Sequence, residues 1–138
     1  MKKRYIIPFL FFLCIAVVII TGCVSTDDDN VIQAGHEGYD KIYENLVQVN
    51  DLQGTKLQLK FGDIFKQAKE YKIRMAALNP TTDKGKQIKA VMLDFFSYSE
   101  LWSSQYSTAL MTGKSSDYDA AAINKTKMMS AVKEMSTF

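Results

Sequence analysis

His36 is the only histidine of the chain, and it lies in the sequence Gly35-His36-Glu37-Gly38. An imidazole can transfer protons near neutral pH or bind zinc. A typical zinc site needs further histidine or cysteine ligands, and a single histidine without cysteine partners does not provide one. The two neighbouring glycines predict a frayed first helical turn in which His36 is solvated. We therefore predict neither a catalytic nor a metal-binding role for His36.

Motifs for helix-bound iron or haem are absent from the sequence. A di-iron carboxylate site requires Glu-x-x-His on two helices, and covalent haem attachment requires Cys-x-x-Cys-His. Neither pattern occurs, and phosphate-binding loops and nucleophile elbows are also missing. A serine nucleophile would have His36 as its sole available imidazole base. The sequence predicts a protein that is not an enzyme and has no cofactor.

Aromatic side chains are concentrated in the middle of the chain. They are Phe61, Phe65, Tyr71, Phe95, Phe96, Tyr98, Trp102 and Tyr106. We expect most of them to fill a core, since each buries about 150–250 Å². Alternatively, some line an apolar cleft for a small ligand.

Phe95 and Phe96 are adjacent and point about 100° apart on a helix. At least one of Phe96, Leu101 and Tyr106 is therefore expected on a flank that a partner could cover. The candidates for ligand or partner contacts are Phe95, Phe96, Trp102, Gln105 and Tyr106.

Three polar residues also qualify as site candidates. Gln105 and Lys125 interrupt otherwise apolar stripes, so either could direct a polar group into a ligand cavity. Their simpler interpretation is a position at an end or edge of the fold, which is favoured for Lys125. Asn124-Lys125-Thr126 is an acceptor sequon for N-glycosylation. Asn124 is therefore a candidate glycosylation site.

The first 22 residues have the three-part pattern of a signal peptide. Lys2, Lys3 and Arg4 precede residues 6–20, an uncharged, mainly apolar run of 15 residues. A membrane-spanning helix needs about 20 apolar residues, so the length favours a cleaved signal peptide over a permanent anchor.

Ile20-Thr21-Gly22-Cys23 resembles the lipobox of prokaryotic lipoproteins, in which an aliphatic residue and two small residues precede a cysteine. The resemblance covers only the first 23 residues. It implies that the Cys23 thiol receives a diacylglyceryl group and that Cys23 becomes the N-terminus after cleavage. Two acyl chains are what stable membrane anchoring usually takes. The alternative is an uncleaved signal anchor with Cys23 as a bystander, and in both cases the domain lies outside the membrane.

Cleavage of the signal changes the charge of the chain. Removal of Lys2, Lys3 and Arg4 shifts the formal net charge from +2 to −1, so the basic pI arises from the targeting segment. The sequence therefore does not predict nucleic-acid binding. Cys14 leaves with the signal, and Cys23 is the lipobox cysteine. The remaining domain of about 115 residues has no disulfide and depends on its core.

Residues 23–30 predict an acidic flexible tether, because the like charges of residues 27–29 keep the chain solvated. Beyond residue 30 the apolar residues recur at helical spacing in four segments. The stripes are Ile32, Tyr39, Ile42, Leu46 and Val49; Leu57, Phe61, Ile64, Ala68, Tyr71, Met75 and Leu78; Ile88, Val91, Phe95, Tyr98, Trp102 and Ala109; and Ala121, Met128, Val132 and Met135.

Three breaks separate these segments: Asn50-Asp51 with Gly54-Thr55, then Asn79-Pro80, then Gly113. We predict that residues 31–138 form an all-α, up-down-up-down antiparallel four-helix bundle. The alternative is a three-helix domain with the first helix loosely docked, because Gly35 and Gly38 weaken its start.

Two classes of function agree with this sequence. The first is a non-catalytic envelope lipoprotein, held to the membrane by the lipid on Cys23, that acts through another envelope protein. The second is an extracytoplasmic domain that binds a small ligand or senses a signal together with a separate membrane partner. Its outline resembles the four-helix sensory domains of chemoreceptors, and this resemblance rests on architecture alone. The first class is preferred.

Overall fold

The computed structural model describes residues 26–138, so the predicted signal peptide and Cys23 lie outside the described residues. Four helices follow one another: α1 is Thr26–Val49, α2 is Gly54–Ala77, α3 is Asp83–Thr112 and α4 is Ser115–Met135. The part of the chain that the structure describes contains no strand. The predicted all-α, up-down-up-down four-helix bundle is confirmed.

Helix α3 is the element on which the other three pack. α1 and α2 contact each other and α3, whereas α4 makes close backbone approaches only to α3 among the helices described. The predicted breaks lie where the sequence places them. Thr82 caps α3 by accepting a hydrogen bond from the Gly85 N–H at 3.0 Å, and Gly113 ends it with a left-handed φ of 66°.

The buried apolar residues form one continuous core that follows the predicted stripe on α2 and most of those on α3 and α4, whereas α1 buries Val31 and Ala34 beside its stripe. They include Ile42 on α1; Phe61, Ile64, Ala68 and Met75 on α2; Ile88, Val91, Phe95 and Trp102 on α3; and Ala121 and Met128 on α4. Helix α4, which closely approaches only α3 among the helices described, buries Ala121, Met128 and Ala131.

The tether predicted over residues 23–30 is wrong from Thr26 onward, because residues 26–30 are the first turn of α1. Asp28 is buried, with 3 % of its surface exposed, and its carboxylate is held by hydrogen bonds from another part of the chain. It accepts hydrogen bonds from the Thr81 N–H at 3.2 Å and from the Thr82 hydroxyl. We call this set of contacts the Asp28 clamp. Carboxylates in a first helical turn also interact favourably with the helix dipole.

Gly85 makes room for the Asp28 clamp, since a Cβ atom there would overlap the Asp28 carboxylate. The clamp thereby joins the start of α1 to the α2–α3 connection and to the N-terminus of α3. A charged group that would be solvated in a tether becomes a buried contact between two parts of the chain.

Gly35 and Gly38 lie in the interior of α1 and are buried, so the expectation that they weaken its start is wrong. They let α1 approach its neighbours closely. A Cβ atom on Gly38 would lie 2.5 Å from Cζ of Phe96 and 2.7 Å from Cγ of Tyr71. A Cβ atom on Gly35 would meet only the flexible side chain of Met92. The loosely docked first helix is therefore also wrong.

We predict that Gly38→Ala lowers the free energy of unfolding by about 1–2 kcal/mol. The overpacking against two rings costs about 1–3 kcal/mol, and the better helix propensity of alanine offsets part of it. Gly62→Ala is the matched control, because Gly62 lies inside α2 with open space around it. It should raise the free energy of unfolding by about 0.5–1 kcal/mol. Urea unfolding followed by the fluorescence of Trp102 measures both, and equal effects would contradict the close approach.

We predict that Asp28→Ala lowers the free energy of unfolding by about 2–3 kcal/mol, since hydrogen bonds to a charged group are worth about 1.5–3 kcal/mol. Asp29→Ala is the matched control, because Asp29 lies in the same helical turn but is exposed. Its loss should cost less than about 1 kcal/mol, the usual size of a helix-dipole effect. Equal losses in the two variants would refute the clamp.

Candidate functional site

Phe95 and Phe96 are both buried, at 1 % and 0 % exposure. The Phe95 ring lies 5.4 Å from that of Tyr39 on α1, and the Phe96 ring lies 5.9 Å from that of Tyr71 on α2. The flank position predicted for at least one of Phe96, Leu101 and Tyr106 is therefore not that of Phe96, because α3 has neighbours on more than one side. Leu101, the second member of the predicted set, does lie on the flank with 47 % of its surface exposed.

Trp102 and Tyr106 belong to a row of rings that crosses the bundle. The Phe61 ring is 5.2 Å from Trp102 and 4.5 Å from Tyr106. Tyr106 in turn packs edge-on against Tyr118 of α4 at 5.6 Å. The row links α2, α3 and α4, and this arrangement agrees with core filling rather than with an open ligand cleft.

Nε1 of Trp102 is the one buried side-chain nitrogen or oxygen in residues 26–138 without a hydrogen-bond partner. The indole is 5 % exposed, and Lys125 Nζ lies 6.0 Å from the ring centroid. An unpaired buried donor costs about 1–3 kcal/mol. The apolar stripe identified Trp102 as a core residue but carried no signal for this unpaired donor.

Gln105 and Asn124 hold α3 and α4 together. The Asn124 side-chain nitrogen donates to Gln105 Oε1 at 2.7 Å and to the Ala120 carbonyl at 3.3 Å. The Gln105 amide therefore reaches the neighbouring helix rather than a ligand cavity. The sequon lies within a helix, and the nitrogen that a glycan would occupy already donates hydrogen bonds. Lys125 is exposed at the edge of the α3–α4 contact, as its simpler interpretation predicts.

An open groove of about 460 Å³ lies at the α1–α2 connection. Its lining residues are Gln48, Asp51, Leu52, Lys56, Leu59, Lys60 and Asp63. Lys60 is fixed there by hydrogen bonding to Asn45 Oδ1 at 3.0 Å and by an ion pair with Asp63 at 3.9 Å. Two lysines and two aspartates border the groove, so it has no net formal charge. Sequence periodicity did not indicate this groove, because its residues come from two helix ends.

Four exposed apolar side chains lie at the same end of the bundle. We call this end, formed by the α1–α2 and α3–α4 connections, the upper end. Of the eight large apolar residues that are exposed in residues 26–138, Val47, Leu59, Met111 and Tyr118 lie within two turns of these connections. By the same two-turn measure, the lower end, formed by the start of α1, the α2–α3 connection and residues 136–138, has two of the eight, Ile73 and Met129.

The buried hydroxyl of Tyr39 and the guanidinium of Arg74, which forms a surface ion pair, each have a shifted pKa in the described bundle. Burial raises the pKa of the Tyr39 hydroxyl to about 12, and Tyr43 and Asp40 add to the shift. Arg74 and Glu37 form an exposed ion pair at 3.1 Å between α2 and α1. The hydrogen bond to Glu37 raises the pKa of the arginine further.

His36 is exposed ten residues after the start of α1, outside the frayed turn that we predicted for it. Residues 26–138 contain no group of three or more histidine, cysteine, aspartate or glutamate residues placed to hold a metal ion. Among the helices α1 to α4, none combines the length and apolar character that crossing a bilayer requires.

Comparison with protein-family models, with curated protein sequences and with solved structures finds no match to this chain. The geometry of the bundle and the N-terminal sequence therefore carry the functional argument.

We predict that Tyr39 titrates near pH 12, above the ordinary tyrosine value of 10.0. Absorbance is followed in alkaline titrations of the native protein and of the Tyr39→Phe variant. Subtracting the second curve from the first gives the ionisation of the Tyr39 hydroxyl. Because the folded-state pKa is raised, the unfolded state loses its proton first, and the free energy of unfolding falls as the pH rises from 10 to 12. In denaturant the midpoint of this difference titration should move to about pH 10, the ordinary tyrosine value. A midpoint near 10 in the folded protein would contradict the burial of this hydroxyl.

Proposed function

We propose that the protein is an extracytoplasmic lipoprotein, anchored to the membrane through a lipid on Cys23, that acts by contacting another envelope protein. The observation that carries the proposal is the position of the fold relative to Cys23. Helix α1 begins at Thr26, so cleavage before Cys23 would remove only residues that precede every helix of the bundle. The signal-peptide pattern and the lipobox resemblance of residues 20–23 supply the anchor.

The contact role is supported by the upper end. Exposed apolar side chains gathered in one region of a surface often mark an interaction site. Leu59 and Met111 are 65 % and 63 % exposed there, and the open groove adjoins Leu59. The groove is lined by two leucines among charged and polar side chains, and protein contacts likewise combine apolar residues with a polar rim.

The ligand-binding alternative has less support. It calls for an enclosed pocket between helices with polar groups directed inward. The groove is open and lies at a bundle end, and Gln105 is paired with Asn124. The aromatic side chains that could line a cleft pack against one another instead.

Intact-mass spectrometry of the membrane-extracted protein tests the anchor. We expect the mass of residues 23–138 plus a diacylglyceryl group, because the lipobox cysteine is acylated before cleavage. Cys23→Ala is the control and should lose both the lipid and the processing. A full-length mass without lipid would refute the proposal and leave a permanent N-terminal anchor in its place.

The same membranes test the contact. A photo-crosslinking amino acid at Leu59 or Met111 should give a discrete adduct with one envelope protein. The matched control is the same amino acid at Asp94, an exposed residue near the middle of α3. Equal adducts from all three positions would show that the upper end is not the contact surface.

A further inference from the structure

We propose that the bundle stands on the membrane, with its lower end against the lipid head groups and its upper end directed away from the bilayer. This inference rests on the proposed lipidation of Cys23. It concerns the orientation of the folded domain, which lipidation alone does not determine. Its ligand is the lipid surface, and its interaction surface is the lower end.

The chain between the lipid and the fold is short. Only Val24 and Ser25 separate Cys23 from Thr26, where α1 begins. Three Cα-to-Cα steps span at most about 11 Å. The acylated cysteine must lie at the membrane interface, so the first turn of α1 lies within that distance of it.

The Asp28 clamp joins the start of α1 to other segments of the fold. Asp28 is five residues beyond Cys23, and its carboxylate is bonded to Thr81 and Thr82. The start of α1 therefore moves together with the α2–α3 connection. Lys84 connects Phe138 to the same end of the bundle, because Lys84 Nζ donates a hydrogen bond to the Phe138 carbonyl at 3.2 Å. The lipid thus holds the whole lower end and not a single helix terminus.

The charges of the lower end explain why the lipid is needed. Asp27, Asp29 and Asp83 are exposed there together with Lys84 and Lys86. Binding to anionic lipid by charge alone requires a cluster of about 4–8 basic residues. A mixed surface of this kind is compatible with head groups but does not bind them strongly. We therefore expect apposition that depends on the short chain to Cys23.

The geometry of α3 sets the height of the upper end. Its 30 residues, at about 1.5 Å per residue, give a length of about 45 Å. Because the helices run antiparallel, an upright bundle places Met111 about 40 Å and Leu59 about 27 Å above the lower ends of their helices. The upper end would then face a partner rather than the lipid.

Fluorescence quenching by lipid head groups tests the orientation. Asn79→Cys labels the lower end and Ser116→Cys labels the upper end, and both positions are exposed. Cys14 leaves with the signal peptide, and the Cys23 thiol cannot react once it carries the diacylglyceryl group, so each lipidated variant carries one fluorophore. The lipidated proteins are added to preformed phosphatidylcholine vesicles that contain a head-group quencher. We expect several-fold stronger quenching at position 79 than at position 116.

Equal quenching at the two ends, or stronger quenching at position 116, overturns the proposed orientation. Intact mass is measured on the same samples, so that the two proposals fail separately. A lipidated protein with equal quenching refutes only the orientation. A protein without lipid refutes the lipoprotein proposal itself, whether or not it binds the vesicles.

A linker variant tests the cause of the orientation. Twelve glycine and serine residues inserted between Ser25 and Thr26 give a flexible chain with a reach of about 20 Å. The difference in quenching between positions 79 and 116 should then be lost, because the bundle can tumble. A difference that persists would mean that the lower end binds the membrane directly, which overturns the role of the short chain.

Discussion

The constraint on which the fold depends is that α3 alone, among the helices described, contacts all three others. A helix with neighbours on more than one side must bury most of its circumference, and one apolar stripe does not suffice. Phe95 and Phe96 are therefore both buried although they point in different directions. Ser99 and Ser103 are buried as well, and each hydroxyl donates to a backbone carbonyl of its own helix at 2.7 Å. These small residues reduce the bulk of α3 without leaving an unpaired polar atom.

The docking of α1 follows from this crowding. Bulky side chains on α3 leave little room for side chains on the facing surface of α1. Glycine therefore occupies the positions where α1 meets Phe96 and Met92. Glycine in a helix interior costs about 1 kcal/mol relative to alanine. Here that local cost is outweighed by close packing, and the start of the helix is fixed by Asp28 rather than by its own propensity.

The sequence predicted the elements that depend on local chemistry. Four helices, the break before Pro80 and the left-handed cap at Gly113 all follow from patterns within a few residues. Burial of Trp102 followed from the stripe in the same way. These features are predictable because the periodicity and the turn residues act over short distances.

The errors share one physical reason. Considered only with its neighbours in sequence, Asp28 indicates a solvated tether. The glycines of α1 indicate a frayed turn in the same way. Their actual partners, Thr82 and Phe96, lie more than 50 residues away. The pairing of Gln105 with Asn124 likewise depends on how α4 docks. No local pattern contains such partners, so the candidate site could be assigned to the right helices but not to the right surfaces.

The contacts divide the bundle into two different ends. The lower end joins three separate chain segments through Asp28 and Lys84, whereas the upper end has four of the eight exposed large apolar side chains. Exposure of Leu59 and Met111 has an unfavourable hydration free energy that the fold does not recover. A joined lower end next to the proposed anchor gives a reason for this division. An anchor held there would fix the position of the upper end, so that a partner meets its apolar residues at a defined height instead of meeting a freely tumbling domain.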